Sequence, residues 1–298
     1  MITRAAVIAA STLLVAAPLG KVVGHVPAGS APDGLAVGGG ALWAANVDDS
    51  TVTRIDLRTR RARNVAAGAG PIAVAAAPGA MWVADYGGTT VTALSPTTGK
   101  KLATVAVGSQ PVGLAVTPNG LWVVNQGDGT ASVVDLASRK VTATVKIATG
   151  AGFAAYGDGS VWIPSFHGGD TVVRYDPATR QATATIAVGS LPVEVAFGAG
   201  SAWVVNGGSG TVSRVDPATN AVVATIRVHG MPTGITFGRG HIWVASIAGA
   251  GVQAIDPATN RVVGSVGPVR GPRDLAVLGR DLWVASFDAN EVARVRLR

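Results

Sequence analysis

Residues 111–147 read PVGLAVTPNGLWVVNQGDGTASVVDLASRKVTATVKI, and this stretch decides the fold. Val112 to Val116 and Leu121 to Val124 are short apolar runs separated by Thr117-Pro118-Asn119-Gly120, a sequence that dictates a tight turn between two strands. The loop Asn125 to Gly129 leads to a third strand, Ala131 to Asp135, and a fourth runs from Val141 to Ile147. All four are rich in Val, Ile and Thr, residues that fit a pleated surface.

The stretch recurs along the chain. Its tryptophan belongs to a series, Trp43, Trp82, Trp122, Trp162, Trp203, Trp243 and Trp283, with spacings of 39, 40, 40, 41, 40 and 40. Eleven residues before each Trp stands Pro32, Pro71, Pro111, Pro192, Pro232 or Pro272, with Ala151 as the single replacement. Three copies carry Asp-Pro-Ala-Thr, at Asp176, Asp216 and Asp256, where proline sets φ for the second position of a type I turn between strands three and four. A period near forty with four strands per unit predicts an all-β, seven-bladed propeller of four-stranded antiparallel blades. Seven residues before each Trp the side chain is small (Ala36, Ala75, Ala115, Ala155, Ala196, Thr236, Ala276), which is expected to line a crowded central channel. The Trp is expected to pack between neighbouring blades.

The seventh copy ends after its third strand, at Glu291 to Arg298. Residues 21–28, KVVGHVPA, match the fourth strands in type, so they are expected to pair with the C-terminal strand and hide two sheet edges. The propeller domain is therefore placed at 21–298. Residues 1–20 have Arg4 ahead of an apolar run from Ala5 to Ala17, too short to span a bilayer. This is the pattern of a signal peptide, with an ordinary N-terminal helix as the alternative, and it predicts a secreted or periplasmic protein.

Composition removes several function classes. The chain has no cysteine, which excludes disulfides, thiol catalysis and Cys-ligated metal. The net charge of +7 is spread out and no nucleic-acid motif is present, so nucleic acid is not an expected partner. No P-loop, dinucleotide fingerprint or nucleophile elbow occurs. Basic residues cluster in the turns between third and fourth strands (Arg58, Arg60, Arg61, Arg63, Lys100, Lys101, Arg139, Lys140, Arg180) and at Arg294, Arg296 and Arg298. They allow a weak contact with an anionic surface.

The runs Trp122-Val-Val-Asn125 and Trp203-Val-Val-Asn206, with Gly-Thr-Val and Asp-Pro-Ala-Thr, resemble the YVTN or YncE-like propeller family over residues 21–298. More distantly the chain is similar to NHL propellers and to streptogramin (virginiamycin B) lyases, whose blades also carry a Gly-rich turn before a Trp. The lyase resemblance implies glutamates after the Trp strand and a histidine around a magnesium ion. Here the positions after Trp hold Asn, Asp or Ser, and no histidine directly follows the prolines.

In such a ring, the loops from second to third strand and from fourth strand to the next blade surround one channel mouth. The expected binding face comprises Asn46, Asp85, Asn125 and Asn206, three residues after Trp; Tyr86, Phe166 and Phe287, one residue further; and Asp33, Arg273 and Asp274 after the prolines. A peptide, protein or glycan is the expected ligand there, bound by a monomer without a required cofactor. The enzymatic alternative is a lyase or lactonase using calcium or magnesium. Its catalytic candidates are His167 and Glu194, and its metal candidates His167, Asp170 and Glu194. Lactonase-type propellers imply a second version, Glu194 with Asn206 or Asn125.

Overall fold

The computed structural model describes residues 18–249 and 251–298, so residues 1–17 of the expected leader lie outside the described residues. Seven four-stranded antiparallel sheets follow one another around a ring. Six are built from consecutive strands, as in Pro111–Thr117, Gly120–Asn125, Thr130–Asp135 and Lys140–Lys146 of blade three. The seventh combines Pro272–Leu278, Asp281–Ser286 and Glu291–Leu297 with Gly20–Pro27 from the other end of the chain. Gly20 lies opposite Leu297 and Pro27 opposite Glu291, which is the closure that the sequence predicts. The His25 Nδ1 lies 2.6 Å from Glu291 Oε1 on this seam. Blade four is the exception to the repeat: its innermost strand shrinks to Ala155–Gly157, next to the site where Ala151 replaces the usual proline.

Each tryptophan is at most 2% exposed. Trp43 of blade one packs with Val74, Met81, Val83 and Leu94 of blade two, and Trp203 of blade five with Ile235, Ile242, Val244 and Ile255 of blade six. The core is thus a set of blade-to-blade layers, as expected. Ala36, Ala75, Ala115, Ala155, Ala196, Thr236 and Ala276 lie directly opposite the Trp of the next strand. Directly paired residues share a sheet face, so the small side chain makes room for an indole and belongs to the blade interface. Their neighbours Leu35, Val74 and Leu114 line the cavity at the channel mouth.

The indole N–H groups follow the sequence closely. Trp43, Trp162, Trp203 and Trp243 donate to the carbonyls of Gly38, Gly157, Gly198 and Gly238, five residues earlier, at 3.0–3.2 Å. Where that glycine is replaced, by Ala77, Thr117 or Leu278, the nitrogens of Trp82, Trp122 and Trp283 have no partner. A Cβ on Gly198 would come within 2.2 Å of the Phe237 ring of the next blade, so glycine permits this close approach.

Arginines add a second link between blades. The Arg174 guanidinium lies 4.5 Å from the Trp162 ring centroid and donates to Pro217 O and Asn220 Oδ1 in the turn of the following blade. Arg214 repeats this over Trp203, reaching Pro257 O and Asn260 Oδ1. The expected basic surface loses Arg294, which is bound to Asp281 and only 7% exposed, while Arg296 pairs with the same carboxylate and stays at the surface.

Candidate functional site

The site is built from the first residues of the innermost strands. Proline opens these strands because it has no N–H to place in the ladder. Directly after it the register shifts by a bulge, between Pro32 and Leu35, Pro192 and Glu194, and Pro272 and Leu275. A bulge re-aims side chains, and here it brings Asp33, Glu194, Arg273 and Asp274 to the channel wall. The backbone just before the proline is fixed in the left-handed region at Ala31, Gln110 and Leu191, as it is at Gly70 and Gly271. The carbonyls of these residues accept from Val47, Gln126, Gly207, Tyr86 and Phe287 N–H, tying the two loops of each mouth together.

These residues enclose a cavity of about 320 Å³ at the mouth. One arc is apolar and aromatic, with Ile72, Val112, Leu114, Phe153 and Phe166 beside Tyr86. Tyr86 donates through its hydroxyl to Gln126 Oε1 at 3.0 Å, and Gln126 Nε2 donates to Ala151 O at 2.8 Å, a chain crossing three blades. The opposite arc is charged. Asp274 Oδ2 accepts from Leu35 N at 2.7 Å and its Oδ1 from Leu275 N at 2.6 Å, so a carboxylate of blade seven holds the inner strand of blade one. Glu194 Oε2 accepts from Ile235 N at 3.2 Å, the same link from blade five to blade six. Arg273 lies with its guanidinium 4.4 Å from the Phe287 ring centroid.

Burial within the channel pushes the Asp33 carboxyl up to about 6, against the opposing field of Arg273. The Asp274 carboxyl is pushed up to about 7 by burial, with two backbone N–H donors opposing it and the Asp33 charge adding to it. Glu194 is held well above the usual range by burial and by the charges of Asp274 and Asp33. The folded chain therefore keeps protons between about pH 4 and 7 that the unfolded chain has released, so these groups lower stability as pH rises through that window. Asp274→Asn keeps an acceptor for Leu35 N–H and removes the charge. Because the amide gives up the acceptor for Leu275 N–H, the variant starts below the wild type near pH 4, and its stability relative to the wild type is expected to rise by about 1–2 kcal/mol between pH 4 and pH 7 after allowing for channel hydration. A difference independent of pH in thermal melts overturns this.

The positions three residues after Trp are a correction to the expected binding face. Asn46, Asp85, Asn125 and Asn206 are fully buried and turned into their own blades. Asn46 Nδ2 donates to the hydroxyls of Thr51 and Thr53, Asn125 to Thr130 and Ser132, and Asn206 to Thr211 and Ser213, all at 2.9–3.1 Å. Asp85 Oδ2 accepts from Thr90 and Thr92 instead. The reason is register: these residues end the second strand and pair directly with the first residue of the third. They lock the hairpin mouth.

Of the other expected site residues, Asp33, Tyr86, Phe166, Arg273, Asp274, His167 and Glu194 line the cavity, whereas Phe287 lies against Arg273 and Asp170 lies outside the lining. Among the described residues no three His, Asp or Glu side chains gather as a metal-ligating group, so His167, Asp170 and Glu194 do not form the expected centre. The second version fails on direction, since Asn125 and Asn206 face the blade interior. Neither donor set that the lyase and lactonase resemblances imply for calcium or magnesium is thus assembled among the described residues. Gln126, one residue beyond Asn125 in the same series as Tyr86, lines the cavity too, and Phe153 is a cavity residue absent from the expected face. Phe153 occupies the place of Glu194 in the one repeat without its proline, and that interruption is the sequence signal for it.

In fold, the chain is similar to virginiamycin B lyase. A crystal structure of that enzyme from Staphylococcus aureus, in selenomethionine form, superposes with a TM-score of 0.80 over 93% of this chain and 98% of the other, at 14% sequence identity. Hydrazine synthase of Kuenenia stuttgartiensis matches with a TM-score of 0.73, covering 97% and 99% at 14% identity. At this identity the likeness is one of architecture. No family model matches the sequence, and no curated protein is significantly similar to it.

Proposed function

We propose that the chain is a rigid binding module whose ligand, a group on a peptide, protein or glycan, enters the channel mouth. The observation that carries this reading is the mouth cavity itself, with an aromatic and apolar arc facing an arc of Asp33, Glu194, Arg273 and Asp274. Concave sites with an apolar wall and a few converging polar groups are where small ligands bind. The apolar stretch Ala5 to Ala17 behind Arg4 supports an exported protein, and the Trp-Val-Val-Asn runs support a place among YVTN-like propellers.

The test is a peptide and glycan array probed with the wild type and with Leu114→Trp, which fills the cavity from its apolar side. A ligand that the wild type binds and the variant binds at least about tenfold more weakly, with melting unchanged, supports the reading. Equal binding by both moves the site elsewhere. A lyase or lactonase on the same face is the second reading, favoured by the likeness in fold to virginiamycin B lyase. It predicts stoichiometric calcium or magnesium, lost on EDTA treatment, and turnover of a lactone or streptogramin. Metal-free protein that still binds its array ligand removes it.

A further inference from the structure

Resting on that reading, we infer that the group received at the channel mouth is a primary ammonium carried on an apolar stem, as in a lysine side chain or an arylalkylamine. The cavity is what makes this specific. Its volume of about 320 Å³ accepts one side-chain-sized group and excludes a folded partner. Its two arcs have opposite chemistry, so a ligand filling it needs an apolar body and a charged end.

The sign of that end follows from the wall. Asp33, Glu194 and Asp274, from blades one, five and seven, face a single guanidinium, Arg273, which already rests on Phe287. The charged and titratable groups around the cavity are these four with His167 and Tyr86. Acceptor capacity is left over: Glu194 uses one oxygen on Ile235 N–H, and no donor among the described residues reaches the Asp33 carboxylate. Three carboxylates against one guanidinium, whose Nε is itself buried without a partner, leave acceptors in excess, and an ammonium supplies three donors on a compact head. The stem then lies along Val112 and Leu114 between Tyr86 and Phe166, with the half-exposed Met231 at the rim. A divalent cation is a poorer occupant, because the carboxylates do not gather as a ligand set.

A bound ammonium favours the ionised carboxylates, so the site takes it up with release of protons, and affinity rises with pH up to neutrality. Titration calorimetry of the full chain with 4-phenylbutylamine and the isosteric 4-phenylbutanol tests this. At pH 8 the amine is expected to bind at least about tenfold more tightly than the alcohol, and to weaken several-fold at pH 5.5. Asp33→Asn, which breaks no hydrogen bond to the protein, and Glu194→Gln, which keeps the acceptor for Ile235 N–H, should each weaken the amine about tenfold and leave the alcohol within about twofold. Equal binding of amine and alcohol overturns the ammonium assignment while leaving the cavity as a binding site. Amine affinity untouched by both variants also overturns it, as does no binding of either probe at about 10 mM; in that last case the array with Leu114→Trp decides separately whether the mouth binds anything.

Discussion

A chain lacking residues 20–27 is expected to lose its cooperative thermal transition. The deleted strand is the whole fourth strand of blade seven, paired from Gly20 to Pro27 along Glu291–Leu297. It buries Val26 against Trp283 and Val292, and packs Val22 against Val295 and Leu297. The buried Val26 contributes about 1.5–3 kcal/mol and the half-buried Val22 less, and the ladder hydrogen bonds about 1 kcal/mol each. The sum is on the order of 5–10 kcal/mol, comparable to the whole stability of an ordinary domain. The same deletion bares the edge of Glu291–Leu297, an invitation to aggregation. A relocation variant separates ring closure from mere loss of residues. Replacing Arg298 by Asn-Gly followed by 20–27 restores the same antiparallel register, since Gly20 already pairs with Leu297. That variant should regain a transition within about 10 °C of the wild type. Unchanged melting on simple deletion, read by circular dichroism and calorimetry, would falsify the closure argument.

Trp203→Ala has the second largest expected effect. The side chain is completely buried, joins blade five to Ile235 and Ile242 of blade six, donates to Gly198 O and carries Arg214 on its ring. Truncating a buried Trp costs about 3–5 kcal/mol in transfer and cavity terms. The loss here belongs at the upper end, because Arg214 also loses the ring that aligns it for Pro257 and Asn260. We expect a fall in melting temperature of about 10 °C or more. Arg214→Met should cost less, about 1–3 kcal/mol. In the double variant the losses should fall short of additive, which a double-mutant cycle reads directly. Strict additivity would mean that indole and guanidinium act independently.

The parts of the molecule that repeat were legible in the sequence. Blade number, hairpins, tryptophan layers and the closing strand all follow from a forty-residue period, because a periodic pattern reports which positions are equivalent. It does not report where an equivalent position points. Asn46, Asp85, Asn125 and Asn206 look like loop polars, but each is the last residue of a strand facing a hydroxyl, and only the hairpin register reveals that. The charged arc was hidden differently: Asp33 and Asp274 stand 241 positions apart and meet because the ring closes, and the bulge that follows the proline takes both out of the strand's simple alternation.

Seven equal blades would present seven equivalent approaches to the channel, and a ligand could settle in any of seven orientations. Blade four removes that degeneracy. Its innermost strand is cut to Ala155–Gly157, and the freed segment places Phe153 where two other blades place a carboxylate. The wall so acquires an apolar side and a charged side, and with them a dipolar axis across the ring. One departure from the repeat thereby gives a rotationally repetitive frame a unique heading, so that whatever it holds is held one way round.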